Sequence, residues 1–148
     1  MKLAWVVLDA SVVIKAILPN PLQRHCQACI AGFSNLKPAA PMLWAYETTS
    51  AITKAVHFKQ ITEAEALLAL GIINALGVQL FIPDEEHNIA AFQWAKRLKR
   101  ASAYDAYYLA LAQTLECHFW TADNRLINAL KDANVDWLHH VGEMKPLE

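Results

Sequence analysis

The sequence predicts a single-domain α/β fold with a mostly parallel sheet of four to five strands and helices on both faces. Short apolar runs rich in β-branched residues alternate with longer stretches of helical spacing, as in chains that build parallel sheets. Apolar residues make up 55% of the chain and charged residues 18%, which excludes a disordered polypeptide. Its 148 residues suit one domain, 1–148, with a proper core.

In the N-terminal half, we predict a strand over 3–8, helices over 11–18 and 22–31, a loop over 34–41 and a helix over 41–57. The first run is apolar without interruption, which is typical of a strand covered on both faces. Proline and glycine divide the helices after this strand: Pro19 and Pro21 stop the first helix, and Gly32 stops the second. Pro41 suits the first turn of the third helix. The loop has room for a brief extended segment.

In the C-terminal half, predicted helices over 62–76, 85–98, 105–115 and 123–133 alternate with strands over 78–82, 117–121 and 135–141. Thr62 and Glu65 have the spacing of a capping box, and Gly77 stops the helix that they begin. The helix over 105–115 is apolar nearly all round, so we expect it in the middle of the domain. The uncharged run over 66–83 is long enough for a membrane span, but its glycine and polar residues favour a helix followed by a strand.

Composition limits the functions that the chain can have. The net charge of −1 provides no global basic field, so any phosphate-directed function needs a local patch or a bound cation. Three cysteines without a signal-peptide pattern favour a reducing cytoplasm. Cys26 and Cys29 have the spacing of half a zinc site, but they lie in a predicted helix without a second pair, which favours ordinary packing.

Four acids lie beside apolar segments, where an unpaired charge is costly. Each has a simple structural interpretation. Asp9 could cap the helix after it, Glu47 could be a solvated helix residue, Asp105 could complete a capping box with Ser102, and Asp123 could cap the last long helix.

Taken together, the four acids favour a metal site. In parallel sheets ligands bind at the carboxyl ends of strands, and Asp9 and Asp123 both follow predicted strands. Four carboxylates gathered without a cation would raise one another's pKa values by repulsion. A hard divalent ion removes that penalty, and Mg²⁺ or Mn²⁺ prefers carboxylate oxygen. No histidine and cysteine cluster competes for the assignment.

Four motifs carry a family resemblance that spans residues 3 to about 141: Val7-Leu-Asp9-Ala-Ser11, Trp44-Ala-Tyr-Glu47, Ser102-Ala-Tyr-Asp105 and Trp120-Thr-Ala-Asp123. In this order and spacing they resemble the signatures of PIN-domain ribonucleases, most closely the VapC-type toxins of toxin–antitoxin pairs. The resemblance implies a three-layer α/β/α fold in which Asp9, Glu47, Asp105 and Asp123 are catalytic and bind the metal.

The resemblance further implies that Ser11 and Thr121 support the site. It implies that RNA is cut to leave a 5′-phosphate and a 3′-hydroxyl, and that the partners are an antitoxin and a second copy of the chain. Asn124 stands where relatives carry a further polar or acidic residue, so a fifth acidic ligand is not expected.

The chemistry predicted from these residues is phosphodiester hydrolysis by a metal-activated water. Arg125 and Arg100 are candidates to contact RNA phosphates; the alternatives are a surface salt bridge for Arg125 and a solvated helix end for Arg100. Tyr104, Tyr107 and Tyr108 are expected in the core or at a dimer contact rather than as base-stacking platforms.

Two rival functions compete with hydrolysis. The first is a PIN-like module that binds RNA or protein without cutting. The second is a phosphate-accepting signalling domain, which the sequence disfavours because Asp9 lacks an acidic neighbour and Val141-Gly142 provides no lysine at the end of the last strand.

Overall fold

A computed structural model describes residues 4–146 and shows a central sheet of five parallel strands in the order β3-β2-β1-β4-β5. The strands are β1 (Trp5–Leu8), β2 (Lys37–Pro41), β3 (Gln79–Phe81), β4 (His118–Thr121) and β5 (Leu138–His140). The helices are α1 (Ala10–Ile17), α2 (Gln23–Ala31), α3 (Leu43–His57), α4 (Glu63–Ala75), α5 (Glu85–Arg97), α6 (Tyr104–Leu115) and α7 (Asn124–Ala129), and a short 3₁₀ helix covers Val141–Glu143. The predicted α/β class is confirmed.

Successive side chains of β1 face opposite layers, because strand side chains alternate. Val7 packs into the larger core, together with α6 and buried parts of α3, α4 and α5. Val6 and Leu8 pack into a smaller core on the other face, against α1 and α2. Cys26 and Cys29 lie fully buried in this smaller core as free thiols, which confirms the packing prediction.

The helix α6 lies at the centre of the larger core and contacts β1, β2 and β4. Six of its residues are buried: Ala106, Tyr108, Leu109, Ala110, Leu111 and Ala112. An apolar surface on nearly every side of a helix requires cover on nearly every side, which confirms its predicted central position. Its first turn therefore begins at the edge of a rigid core.

The brief extended segment allowed in the predicted loop over 34–41 is the strand β2, which covers the second half of that range and lies inside the sheet. Proline is tolerated there because, at each of the two prolines, β2 has a hydrogen-bonded neighbour strand on one side only, so the missing N–H breaks no strand pairing. Pro38 precedes the first pair with β3, Ala39↔Gln79, and Pro41 follows the last pair with β1, Val7↔Ala39. Pro41 consequently ends a strand and does not begin the helix as predicted.

Other predicted elements differ at their ends. Ser102 does not cap α6, since the N-cap residue is Ala103 and no side chain bonds to that end. The last long helix, predicted over 123–133, ends at Ala129. Thr62 and Glu65 do form the predicted capping box, and Gly77 has the positive φ of 65° that a helix stop requires. Leu3 lies outside the described residues. Within residues 4–146, no helix combines the length and the apolar character that crossing a membrane requires.

Candidate active site

Two adjacent parallel strands bring Asp9 and Asp123 to the same edge of the sheet. In the register of β1 and β4, Leu8 pairs with Trp120, so the two strands end within one residue of each other. The backbone N–H of Asp9 donates to the carbonyl oxygen of Trp120 at 3.0 Å and holds the two ends together. This is the strand edge at which open α/β sheets bind ligands.

Asp9 is buried and accepts two hydroxyl hydrogen bonds on one oxygen. Ser11 Oγ and Thr121 Oγ1 each donate to Asp9 Oδ2 at 2.7 Å. Asp9 occupies the N-cap position of α1, but its side chain makes no capping bond, so the capping interpretation was wrong. Burial raises the pKa of Asp9, the two hydroxyl bonds oppose that rise, and the charges of Asp105 and Asp123 add to it.

The two hydroxyls are themselves fixed by backbone groups. Ser11 Oγ accepts from the N–H of Ala122 at 3.1 Å, and Thr121 Oγ1 accepts from the N–H of Asp123 at 3.0 Å. Each hydroxyl proton is therefore directed at Asp9 while a lone pair is used elsewhere. The segment after β4 is thereby joined to the carboxylate after β1. This geometry is what a supporting role for Ser11 and Thr121 requires.

Glu47 is half-buried on α3 and accepts a 2.7 Å hydrogen bond on Oε1 from the hydroxyl of Tyr108. The solvated-residue interpretation of Glu47 was therefore wrong. Burial raises the pKa of Glu47 to about 7; the Tyr108 bond opposes the rise, and the charges of Asp9 and Asp105 increase it. Tyr108 is stacked on Phe119 with ring centroids 5.6 Å apart, so its hydroxyl is held by a rigid ring.

Sequence reasoning assigned Tyr108 to packing alone and missed this contact. The ring does pack in the core, as predicted, but its hydroxyl reaches the site. A signal was present, because Tyr108 follows Asp105 by three residues and such pairs lie on one helix face. That spacing could have linked the two residues to the same site.

Asp105 lies in the first turn of α6, and Arg100 approaches it from the preceding segment. Arg100 Nη1 is 3.9 Å from Asp105 Oδ2. Burial raises the pKa of Asp105, Arg100 opposes that rise, Asp123 adds to it, and Arg125 opposes it. Since Ser102 forms no capping bond, the capping-box interpretation of Asp105 was wrong.

Asp123 caps α7 and also faces the other acids. Its Oδ1 accepts from the backbone N–H of Arg125 at 2.9 Å, which confirms the capping interpretation. The Nε of Arg125 lies 3.5 Å from the same oxygen, while the Arg125 side chain is 84% exposed. Because the guanidinium is exposed, it can contact a bound anion without any rearrangement of the core.

All four acids line one cavity of about 500 Å³. The lining residues are Asp9, Ala10, Ser11, Ile14, Lys15, Glu47, Asp105, Ala122, Asp123, Asn124 and Arg125. Thr121 acts from behind Asp9, and Arg100 reaches Asp105 from outside this lining. Lys15 is a cationic member to which sequence reasoning gave no role. Carboxylates outnumber basic groups here, so the cavity attracts cations.

The donor set of the cavity suits a hard divalent cation, because its carboxylates are accompanied by no thiol or imidazole. Burial is the main cause of the raised pKa values of Asp9, Glu47 and Asp105, and repulsion from neighbouring acids adds to it. Across the described part of the chain, however, no three ligand side chains are already arranged to hold an ion. Coordination at this cavity would therefore draw carboxylates inward, where without a cation like charges repel one another.

Comparison with protein families gives one match. The family model described as PIN domain matches residues 6–131, which include all four acids. Comparison with curated protein sequences finds no relative.

Several solved structures share the fold. The protein PAE2754 from Pyrobaculum aerophilum is similar with a TM-score of 0.67 and 19% identity, over 95% of this chain and 85% of that one. A toxin–antitoxin complex from Klebsiella pneumoniae has a TM-score of 0.62 and 14% identity, over 90% and 94%. Mycobacterium tuberculosis VapC20, a toxin that cleaves the sarcin–ricin loop, has a TM-score of 0.54 and 14% identity, over 74% and 82%.

Proposed function

Because this chain belongs to the PIN domain family, we propose that it is a metal-dependent endoribonuclease and the toxin of a toxin–antitoxin pair. The observation that carries the proposal is the single cavity lined by Asp9, Glu47, Asp105 and Asp123 at the carboxyl edge of the sheet. Further support comes from the fold shared with VapC20, a toxin that cleaves the sarcin–ricin loop.

In this proposal the four carboxylates hold Mg²⁺, with Mn²⁺ as the alternative. When bound, the ion would neutralise the carboxylates, polarise a phosphate of the substrate and acidify a water molecule for in-line attack on phosphorus. The products would carry a 5′-phosphate and a 3′-hydroxyl. Ser11 is the one hydroxyl among the residues that line the cavity; no histidine lines it to act as a base and the Ser11 proton is held by Asp9, so a covalent enzyme intermediate is not part of the proposal.

The residues around the carboxylates have separate tasks. Ser11 and Thr121 keep Asp9 Oδ2 occupied, and within residues 4–146 no hydrogen bond is made to Asp9 Oδ1, which is left for the ion. Tyr108 favours the ionised form of Glu47, because the hydroxyl donates to the carboxylate.

Positive charge at the rim would bind the substrate. Lys15 and Arg125 line the cavity beside the acids, and we propose that they contact the phosphates that flank the bond to be cut. Arg100 also lies within reach of this edge, where its nearest charged group is Asp105. Contacts of this kind make binding dependent on salt.

The proposed partners are RNA, a cognate antitoxin and a second copy of the chain. A protein partner needs an apolar surface that a monomer would leave in water. The helix α4 exposes Leu67, Leu68 and Ile72 by more than half of their area. A second exposed apolar surface includes Tyr46 and Ile82. The shared fold with a toxin–antitoxin complex supports the antitoxin, and the resemblance to VapC-type toxins supports the homodimer.

The deciding experiment is cleavage of total RNA by purified, antitoxin-free protein, with Mg²⁺, with Mn²⁺ and with chelator. We expect cleavage with either ion, none with chelator, and none by Asp105→Asn. Asp132→Asn is the matched control, since Asp132 is exposed and lies outside the cavity. In bacteria, wild type and Asp132→Asn should arrest growth, whereas Asp105→Asn should not. Growth arrest by Asp105→Asn equal to that of wild type would contradict the mechanism.

A second candidate is a module that binds RNA without cutting it. The observation in its favour is that no three ligands among residues 4–146 are arranged in advance around an ion. If the protein is such a module, the wild type and Asp105→Asn should bind RNA with equal affinity. Neither should cleave RNA with any divalent ion. Isothermal titration with Mn²⁺ separates the two candidates, because only the nuclease should lose metal binding on Asp105→Asn.

A further inference from the structure

Three polar side chains from β4, β5 and the 3₁₀ helix that follows β5 form a hydrogen-bonded chain. His118 Nδ1 lies 2.8 Å from His139 Nε2, and His139 Nδ1 lies 3.0 Å from Glu143 Oε2. His118 is on β4, His139 is on β5, and Glu143 ends the 3₁₀ helix after β5. None of the three lines the cavity of the four acids.

The carboxylate fixes the proton positions along this chain. An ionised Glu143 only accepts, so His139 Nδ1 carries the proton and donates it. The Nε2 of a neutral His139 then presents a lone pair toward His118. A histidine oriented by a carboxylate on its other nitrogen is the usual arrangement of an imidazole that binds a metal.

The His139 ring is also held in place before any ligand arrives. In the strand register His139 pairs with Trp120, and the two rings stack with centroids 4.7 Å apart at 25°. Trp120 in turn packs against Phe33 at 5.6 Å. A ring held by stacking and by a carboxylate loses little further freedom on binding.

From this geometry we infer that His118 Nδ1 and His139 Nε2 form a binding site for a borderline transition-metal ion, Zn²⁺ or Ni²⁺, with Glu143 orienting His139. Imidazole nitrogen suits these ions, whereas Mg²⁺ prefers oxygen. In the described part of the chain no third ligand joins the pair. Water completes the coordination, so binding is weaker than at a closed four-ligand centre.

Metal binding here requires a change of tautomer and a small opening of the pair. The ion takes one lone pair from each ring, so the proton on His118 Nδ1 moves to Nε2 of the same ring. Two nitrogens bound tetrahedrally at about 2.0–2.1 Å from zinc stand roughly 3.3 Å apart, slightly farther than in the metal-free pair. His118 is exposed and can make this adjustment.

The test is isothermal titration of the full chain with Zn²⁺ alone, in an Asp105→Asn background that weakens the acidic cavity. We expect one ion bound per chain in this background and no binding after His139→Gln or His118→Gln. Glu143→Gln should weaken binding by roughly tenfold or more. His57→Gln is the matched control, an exposed histidine on α3, and should bind as its parent does.

Circular dichroism of each variant distinguishes loss of a metal ligand from loss of the fold. His118 is exposed, so His118→Gln should retain the wild-type spectrum even if His139→Gln perturbs β5. No heat of Zn²⁺ binding by the parent, or unchanged affinity in a folded His118→Gln, would overturn the inference. Neither result would bear on the ribonuclease proposal, which depends on the other site.

Discussion

Thr121 Oγ1 donates a 2.7 Å hydrogen bond to Asp9 Oδ2 and joins two residues that lie 112 positions apart in the sequence. Thr121 is fully buried and closes β4, while Asp9 follows β1. The bond therefore couples the packing of two adjacent strands to the orientation of the most buried carboxylate in the cavity. Its removal should affect folding and activity together.

Thr121→Val should lower the free energy of unfolding by about 1–3 kcal/mol, because the N–H of Asp123 loses its buried acceptor. Cleavage should fall roughly tenfold to hundredfold, as when other groups that orient metal ligands are removed. Urea unfolding and cleavage rates measure the two effects.

Thr48→Val is the matched control for Thr121→Val. Thr48 is equally buried, but its hydroxyl donates to the Trp44 carbonyl within α3. The Thr48→Val variant should cleave RNA at the wild-type rate. Equal loss of activity in both variants would show that Thr121 matters only for folding.

Tyr108→Phe should increase the Mg²⁺ concentration required for half-maximal cleavage by about tenfold. The hydroxyl lowers the pKa of Glu47, so its loss moves that pKa above about 7 and leaves less carboxylate to bind metal. The ring keeps its place on Phe119, so stability should change by about 1 kcal/mol. Tyr107→Phe, which removes a hydroxyl bonded to Asn88, should keep the wild-type requirement.

In the presence of chelator, the protein should lose stability as pH rises from about 5 to 8. The folded-state pKa of Glu47 is about 7 and its ordinary value is 4.5, so between these values the folded chain holds a proton that the unfolded chain releases. That contribution is full below pH 4.5 and is lost as pH rises through 7, and the raised pKa of Asp9 acts in the same direction. Urea unfolding at four pH values measures the slope.

Glu47→Gln should flatten this pH dependence, whereas Glu63→Gln, an exposed change on α4, should leave it unchanged. Saturating Mn²⁺ should restore stability most at high pH, because the ion binds ionised carboxylates. A pH slope in Glu47→Gln as steep as in wild type would contradict the assignment.

Arg125→Gln should raise the KM for RNA several-fold and reduce the salt dependence of binding by about one ion. The side chain is 84% exposed beside the cavity, so its charge is available to a phosphate. Arg24→Gln on α2 removes the same charge from an exposed position outside the cavity. If both variants weaken RNA binding equally, Arg125 contributes only to the net charge of the protein.

Most of the fold could be predicted because its signals are local. The capping box of Thr62 and Glu65, the stop at Gly77 and the apolar surface of α6 each operate within a few residues. For β2, the sequence allowed only a brief extended segment within a loop. Its two prolines argue against a strand locally, and only the register with β1 and β3 shows that both lie where no ladder bond is needed.

The four acids could be selected from the sequence because a carboxylate beside apolar residues is costly and therefore conspicuous. Ser11 and Thr121 were selected with them through the family motifs. Tyr108 and Lys15 were not, although the three-residue spacing between Asp105 and Tyr108 was a signal for Tyr108. The sequence by itself determined the parallel α/β architecture and which carboxylates lie next to buried elements, because helix and strand signals depend on neighbours along the chain. Only the tertiary structure decided which oxygen of Asp9 is bound, which hydroxyl reaches Glu47 and which histidines meet across β4 and β5, because these contacts join residues from distant segments.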